Sequence, residues 1–124
     1  PTNGDLTHSN GTIVPQMGLL GTIYTAGVGH RPIYYIYTGS QTTPDPGSGI
    51  IDRDTFQYTL TDEFGFESIA VWVTIAITSA IVSTTDSVGS SLSYAIESPM
   101  VNVLYLYGTD YTSPARPLHA QITR

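Results

Sequence analysis

Residues 56–77, FQYTLTDEFGFESIAVWVTIAI, hold two alternating apolar runs on either side of a polar turn that contains glycine. In the first run Phe56, Tyr58 and Leu60 share one face, and Thr55, Gln57 and Thr59 share the other. In the second, Val71, Val73, Ile75 and Ile77 fall opposite Ala70, Trp72, Thr74 and Ala76. Successive side chains of a strand point to opposite faces, so the stretch reads as a hairpin with one core-facing side, turning at Asp62-Glu63-Phe64-Gly65. No window shows apolar residues recurring at three-to-four spacing between caps, so no helix is expected.

The pattern extends in both directions. Gly4-Asp5-Leu6-Thr7-His8 and Thr12-Ile13-Val14 flank Ser9-Asn10-Gly11, and an Asn-Gly pair supplies two positive-φ positions for a tight hairpin turn. Gly18, Gly21, Gly27 and Gly29 punctuate the next stretch, leaving Thr22-Ile23-Tyr24-Thr25 as a short strand. Pro32 to Tyr37, PIYYIY, is β-branched and aromatic, with its proline expected at the strand start. Ser40 to Gly49, SQTTPDPGSG, reads as a loop. Thr78 to Ser93 is rich in Ser and Thr, with a short edge strand expected around Ile81-Val82. Met100 to Tyr107, MVNVLYLY, is a strong strand ended by Gly108-Thr109-Asp110. After a bend at Ser113 to Pro117, Leu118, Ala120 and Ile122 alternate with His119, Gln121 and Thr123 in a final strand. An all-β chain of this size buries its apolar faces most simply as a two-layer sandwich.

Composition narrows function. The chain has 124 residues, a single domain by size, with 40% hydrophobic but only 11% charged residues and a net charge of -6. Ser, Thr, Tyr, Asn and Gly supply the polar surface, a mix common in secreted β proteins. The four cations are Arg31, Arg53, Arg116 and Arg124, too few to neutralise phosphates, so nucleic acid is excluded as a partner. The lack of lysine excludes an internal Lys–Asn isopeptide crosslink, and the lack of cysteine leaves neither disulfide framework nor thiol nucleophile. The longest apolar stretch, Ile69 to Val82, falls short of the ~20 residues a membrane-spanning helix needs, so no membrane span is expected.

At Asp54-Thr55-Phe56-Gln57-Tyr58-Thr59-Leu60-Thr61-Asp62, then Gly65, Ser68, Ala70 and Val71 to Ile75, the sequence resembles the closing hairpin of the cadherin-like, immunoglobulin-like tandem repeats of large surface adhesins. That hairpin typically reads D-x-F-x-Y-x-x-x-D, a glycine turn, then an alternating strand. Val103 to Asp110, VLYLYGTD, with Leu118 to Thr123, LHAQIT, is similar to the opening strand pair of the same repeat. Pro1-Thr2-Asn3-Gly4-Asp5-Leu6 resembles its middle strand and reads as the interior of a domain.

The resemblance therefore implies an antiparallel immunoglobulin-like (cadherin-like) sandwich whose order is out of phase with the chain. Residues 1–78 supply the later strands of one sandwich, and residues 79–124 supply the opening strands of the next, or of the same sandwich circularly permuted. Ile122-Thr123-Arg124 running on into Pro1-Thr2-Asn3-Gly4-Asp5-Leu6 of another copy restores an unbroken repeat. Long Gly18 to Gly49 and glycine-poor Glu63-Phe64-Gly65-Phe66 segments depart from the family, as does the lack of an acidic D-x-D-G-D run.

Candidate sites are few. Asn10-Gly11-Thr12 is an N-glycosylation sequon on an exposed turn, unless the Asn-Gly pair serves the turn alone. Hydroxyls of Thr42, Thr43 and Ser48 are candidates for O-glycans. Asp45, Asp52, Asp54 and Asp62 form the best oxygen-ligand set, set against plain turn and edge polarity with Arg53 neutralising its neighbours. His8, His30 and His119 lack zinc spacing, and no G-x-S-x-G elbow occurs. Trp72, Tyr34, Tyr35, Tyr37, Tyr105 and Tyr107 are candidates for a sugar-stacking platform or for cross-strand packing. The expectation is a non-enzymatic structural subunit or repeat of an extracellular or cell-surface fibre, partnered by copies of itself and a candidate for covalent glycans. It has no catalytic residue, cofactor or metal, and the alternative is an adhesive binding module of a surface protein.

Overall fold

Phe56, Tyr58 and Leu60 from the first run and Val73, Ile75 and Ile77 from the second are all buried, on the faces the alternation assigns to the core. Each large apolar side chain so placed stabilises the fold by about 1.5–3 kcal/mol relative to leaving it in water. The computed structural model describes residues 1–23, 28–41, 43–78, 85–88, 91–97, 101–109 and 117–124. Among these the chain is all-β, with no helix.

The strands, in chain order, are β1 (Gly4–Thr7), β2 (Leu19–Ile23), β3 (Val28–Tyr37), β4 (Ile50–Thr61), β5 (Val71–Thr78), β6 (Thr85–Val88), β7 (Ser91–Glu97), β8 (Val101–Thr109) and β9 (Leu118–Ile122). A three-stranded sheet has the order β1-β3-β8, and a six-stranded sheet the order β2-β9-β4-β5-β7-β6. One hydrophobic core joins them: Leu6, Ile33, Tyr35, Leu104 and Leu106 of the first sheet meet Phe56, Tyr58, Ile75, Tyr94 and Ile122 of the second. The arrangement is β-sandwich-like.

The pairing is mostly, but not wholly, antiparallel. β4 and β5 form the expected hairpin, with Phe56 opposite Val73 and Tyr58 opposite Val71. β5 and β7 run parallel, Val73 opposite Leu92 and Ile75 opposite Tyr94, which corrects the expectation of a purely antiparallel sandwich. A parallel neighbour needs a crossover, and β6 fills it by folding back onto β7 as an antiparallel edge.

Other elements differ from the sequence reading in instructive ways. β3 begins at Val28, so Pro32 lies inside it rather than at its start. Pro32 sits opposite Tyr105, whose backbone groups face away from β3 toward another partner, and β1 reaches only as far as Tyr34. The missing proline N–H thus falls where no strand would receive it. The first hairpin is reduced to one bridge, Thr7 with Ile13, and its turn is closed by Gly11 N–H on the His8 carbonyl at 3.0 Å. Gly11 alone has positive φ there (86°), so Asn10 needs no left-handed conformation. β6 and the first three residues of β7 lie in the stretch read as Ser/Thr-rich, the rest of β7 in residues given no element, and β8 runs through Gly108 to Thr109 instead of ending before them. The edge strand expected at Ile81-Val82, the Ser113 to Arg116 bend, and Tyr24-Thr25 lie outside the described residues.

Candidate functional site

The two ends of the chain meet on β4. Tyr58 pairs with Ile122, Thr59 with Gln121 and Leu60 with Ala120, so β9 lies antiparallel to β4 in the middle of the larger sheet. Past Ile122 the line continues: Thr123 N–H donates to the Gln57 carbonyl at 2.8 Å, and Gln57 N–H to the Arg124 carbonyl at 3.4 Å. Nearby, Thr2 N–H donates to the Asp54 side chain, Oδ1, at 3.0 Å. Asn3 N–H donates to Asp54 Oδ2 at 3.1 Å, and Asn3 Nδ2 to the Arg53 carbonyl at 2.7 Å. Residues 118–124 and residues 1–3 thus both bond to β4, the first through the backbone ladder and the second through the Asp54 carboxylate and the Arg53 carbonyl.

Asp54 anchors Thr2 and Asn3. It is buried at 5% exposure and accepts the Tyr35 hydroxyl at 2.6 Å as well as the two N-terminal amides. Burial first, and the bond to this carboxylate second, push the Tyr35 phenol well above its ordinary range. Asp52, one turn of the pleat away on the same face, accepts Tyr37 hydroxyl at 2.7 Å and Asn3 Nδ2 at 3.3 Å. Burial and then the Asp52 bond raise the Tyr37 phenol too. Gly4 makes room for this arrangement: a Cβ there would stand 2.5 Å from the Tyr35 ring and from the Ile36 carbonyl oxygen. Two side chains read as platform candidates, Tyr35 and Tyr37, thus face inward and bind carboxylates.

A second feature lies along β8, the last strand of the smaller sheet among the described residues. Along β8, Tyr105 and Tyr107 turn their backbone groups away from β3. Tyr94 hydroxyl donates to the Tyr105 carbonyl at 2.5 Å and accepts its N–H at 3.3 Å. Tyr58 hydroxyl donates to the Tyr107 carbonyl at 2.9 Å and accepts its N–H at 3.2 Å. Both phenols cross the core from the larger sheet. Burial pushes Tyr58 up to about 12 and raises Tyr94 likewise.

Tyr105 and Tyr107 themselves project from the outer face at 40% and 43% exposure, beside exposed Val101, Val103 and Pro32 and half-buried Tyr34 and Ile36. This face carries the aromatics of the candidate platform that remain accessible. Trp72 lies on the opposite sheet, with the Arg124 guanidinium 5.6 Å from its ring centroid.

The other sequence candidates are dispersed. Asn10 is exposed, its Oδ1 accepting Thr12 N–H at 3.0 Å. Asp45 and Asp62 each close their own turn, Asp45 by accepting Ser48 Oγ and Asp62 by accepting the amides of Phe64 and Phe66. Asp45 lines a pocket together with Asp52 and Arg53, and no group of three or more His, Cys, Asp or Glu fit for a metal occurs among the described residues. Arg53 alternates to the exposed side of β4 and does not ion-pair with Asp52 or Asp54. His8, His30 and His119 sit on separate segments, and Thr43 and Ser48 are exposed, while Thr42 lies outside the described residues. No helix among the described residues is long and apolar enough to cross a membrane.

No family model, curated protein or solved structure matches the chain.

Proposed function

We propose that this chain is a non-enzymatic structural subunit or repeat of an extracellular fibre, an immunoglobulin-like (cadherin-like) sandwich completed head-to-tail by strands of neighbouring copies. The observation that carries this reading is the register on β4. β9 lies in the β4 ladder through Tyr58–Ile122 and the Thr123 amide, so the last strand is held by backbone bonds to β4. Such a strand serves equally when it comes from another copy, because β4 makes the same bonds to either. Copies exchanging 118–124 in this way contact one another through different surfaces, and such contacts propagate instead of closing.

Low charge, abundant hydroxyls and an exposed Asn10 in a sequon support an extracellular setting with covalent glycan on Asn10. Intact mass of protein from its native source is expected to exceed that of the bare polypeptide, and Asn10→Gln to remove the excess; the bare mass would refute the modification.

Electron microscopy of concentrated protein tests the assembly. Filaments with a regular axial repeat are expected, and dispersed single particles at every concentration would refute it. A second reading, an adhesive module, is favoured by the outward Tyr34, Tyr105 and Tyr107. It requires saccharide binding that is lost in Tyr105→Ala and Tyr107→Ala, measured by calorimetry.

A further inference from the structure

A strained turn holds the edge of β9 that faces away from β4. Gly18 N–H donates to the Pro15 carbonyl at 2.9 Å, closing residues 15–18, and Met17, third of the four, has φ 63°. A type II turn demands positive φ at its third position, where glycine or asparagine normally serves. Among the described residues Met17 is the one residue other than glycine in that region. An L side chain is disfavoured there, and the Met17 side chain, 58% exposed, gains little packing in return. Gly18 is fixed by space, because a Cβ on it would stand 2.7 Å from the Pro15 carbonyl oxygen.

β9 itself holds the turn in this conformation. Met17 N–H donates to the Ile122 carbonyl, and Ile122 N–H donates to the Gly18 carbonyl at 3.1 Å, so both backbone groups of Ile122 belong to the turn. Gln121 Nε2 donates to the Met17 carbonyl at 3.0 Å, and Gln16 Nε2 to the Thr123 carbonyl at 3.2 Å. β2 pairs with β9 only as far as Gln121, opposite Leu19, and the turn takes over at Ile122. Ahead of the turn, Val14 is buried and donates its N–H to the Leu6 carbonyl at 2.8 Å, which pins this end to the smaller sheet. Residues 14–18 are therefore anchored at both ends, strained in the middle, and bonded to β9 at residues 121–123 alone.

We propose that residues 14–18 are a latch on β9: the Met17 turn opens as a unit, frees both backbone groups of Ile122, and sets the rate at which β9 leaves the β4 ladder. Closed, it leaves this end of β9 bonded on two edges, to β4 through Thr123 N–H on the Gln57 carbonyl and to the latch through Ile122. Open, it leaves the β4 side alone. The strain at Met17 is relieved on opening and restored on closing, so the latch gives way before the ladders do. In the proposed assembly the latch closes on whichever copy supplies β9. That role rests on the assembly reading, while the opening of the latch does not.

Amide exchange of the full chain in dilute solution, followed by NMR, reads the latch. Met17→Val, whose β-branched side chain is unsuited to positive φ, is expected to speed exchange of the Met17 and Ile122 amides about tenfold with the β4–β5 ladder unchanged. Gly18→Ala, which sets a Cβ against Pro15, is expected to do the same. Met17→Asn, which tolerates positive φ, is expected to slow both amides about threefold. If both amides keep their wild-type rates in Met17→Val and Gly18→Ala, or quicken only together with the β4–β5 ladder, the latch is overturned. Mixing isotope-labelled with unlabelled assemblies, read by mass spectrometry, tests its role between copies. Subunit exchange is expected to quicken in Met17→Val and to slow in Met17→Asn. If wild type assembles and its subunit exchange ignores these variants while the amides respond, the latch does not govern β9 and the proposal is overturned with the assembly reading intact. If wild type stays monomeric at every concentration, the assembly reading falls and the amide rates alone decide the latch.

Discussion

Tyr94 holds the backbone of Tyr105: its hydroxyl donates to the Tyr105 carbonyl and accepts the Tyr105 N–H, the two bonds a neighbouring backbone would make. Tyr58 repeats the device two residues on at Tyr107. A sheet edge is a template for uncontrolled pairing, and β8, last in its sheet among the described residues, has no charge or proline of its own to blunt it. The core phenols occupy the backbone groups that an added strand would need.

Replacing either phenol by phenylalanine keeps the ring and strips the edge. Tyr58→Phe and Tyr94→Phe are each expected to lower unfolding free energy by about 1–3 kcal/mol, the cost of leaving backbone groups unmet. Urea titration checks the loss. Both substitutions together are expected to increase the intermolecular β signal in infrared spectra above that of the wild type at the same concentration.

Alkaline pH attacks the same caps. The Tyr58 phenol has its folded-state value raised to about 12 by burial, against an ordinary value near 10. A group whose proton is held more tightly in the folded chain contributes fully below the ordinary value and loses that contribution as pH climbs to the folded one. Stability is therefore expected to fall between about pH 10 and 12, by about 3 kcal/mol from this phenol. Tyr35 and Tyr94 shift in the same direction and steepen the fall. Tyr58→Phe is expected to flatten the denaturation midpoint against pH in that window.

Asp54→Ala removes the acceptor of four donors at once: Thr2 N–H, Asn3 N–H, Thr55 N–H and the Tyr35 hydroxyl. The expected loss is about 3 kcal/mol, on the scale of a broken buried network. Hydrogen exchange locates it. The amides of Thr2 and Asn3 are expected to exchange freely in the variant, while those of β4 and β5 keep their order of protection.

Thr59 offers the opposite experiment. Its hydroxyl is buried with no hydrogen-bond partner, on a side chain only 4% exposed. Thr59→Val keeps the shape and removes the unmet group, so a gain of about 1 kcal/mol is expected in thermal or urea unfolding.

The hairpin at 56–77 was legible because local alternation alone determines which side of β4 and β5 is buried. Phe56, Tyr58, Val73 and Ile75 lie where period two puts them. β7 was harder to see: Leu92, Tyr94 and Ile96 alternate just as well, but four serines between Ser87 and Ser93 mask them, and their partner β5 runs parallel across a crossover. The anchoring role of Asp54 was invisible, since its donors lie about fifty residues away in sequence and only the meeting of chain ends brings them near. Likewise nothing local separates Tyr35, which reaches inward to a carboxylate, from Tyr34, which faces out.

The claim that β9 passes between copies is tested most directly by crosslinking Gln57→Cys with Thr123→Cys. Their side chains touch, Thr123 Oγ1 lying 3.2 Å from Gln57 Oε1, and the chain has no other cysteine to confuse the result. Protein concentrated to the point of assembly is treated with a short bismaleimide and run on a denaturing gel. The account predicts a ladder of covalent multimers, β9 of each copy bound to β4 of the next; a single band of internally crosslinked monomer would contradict it.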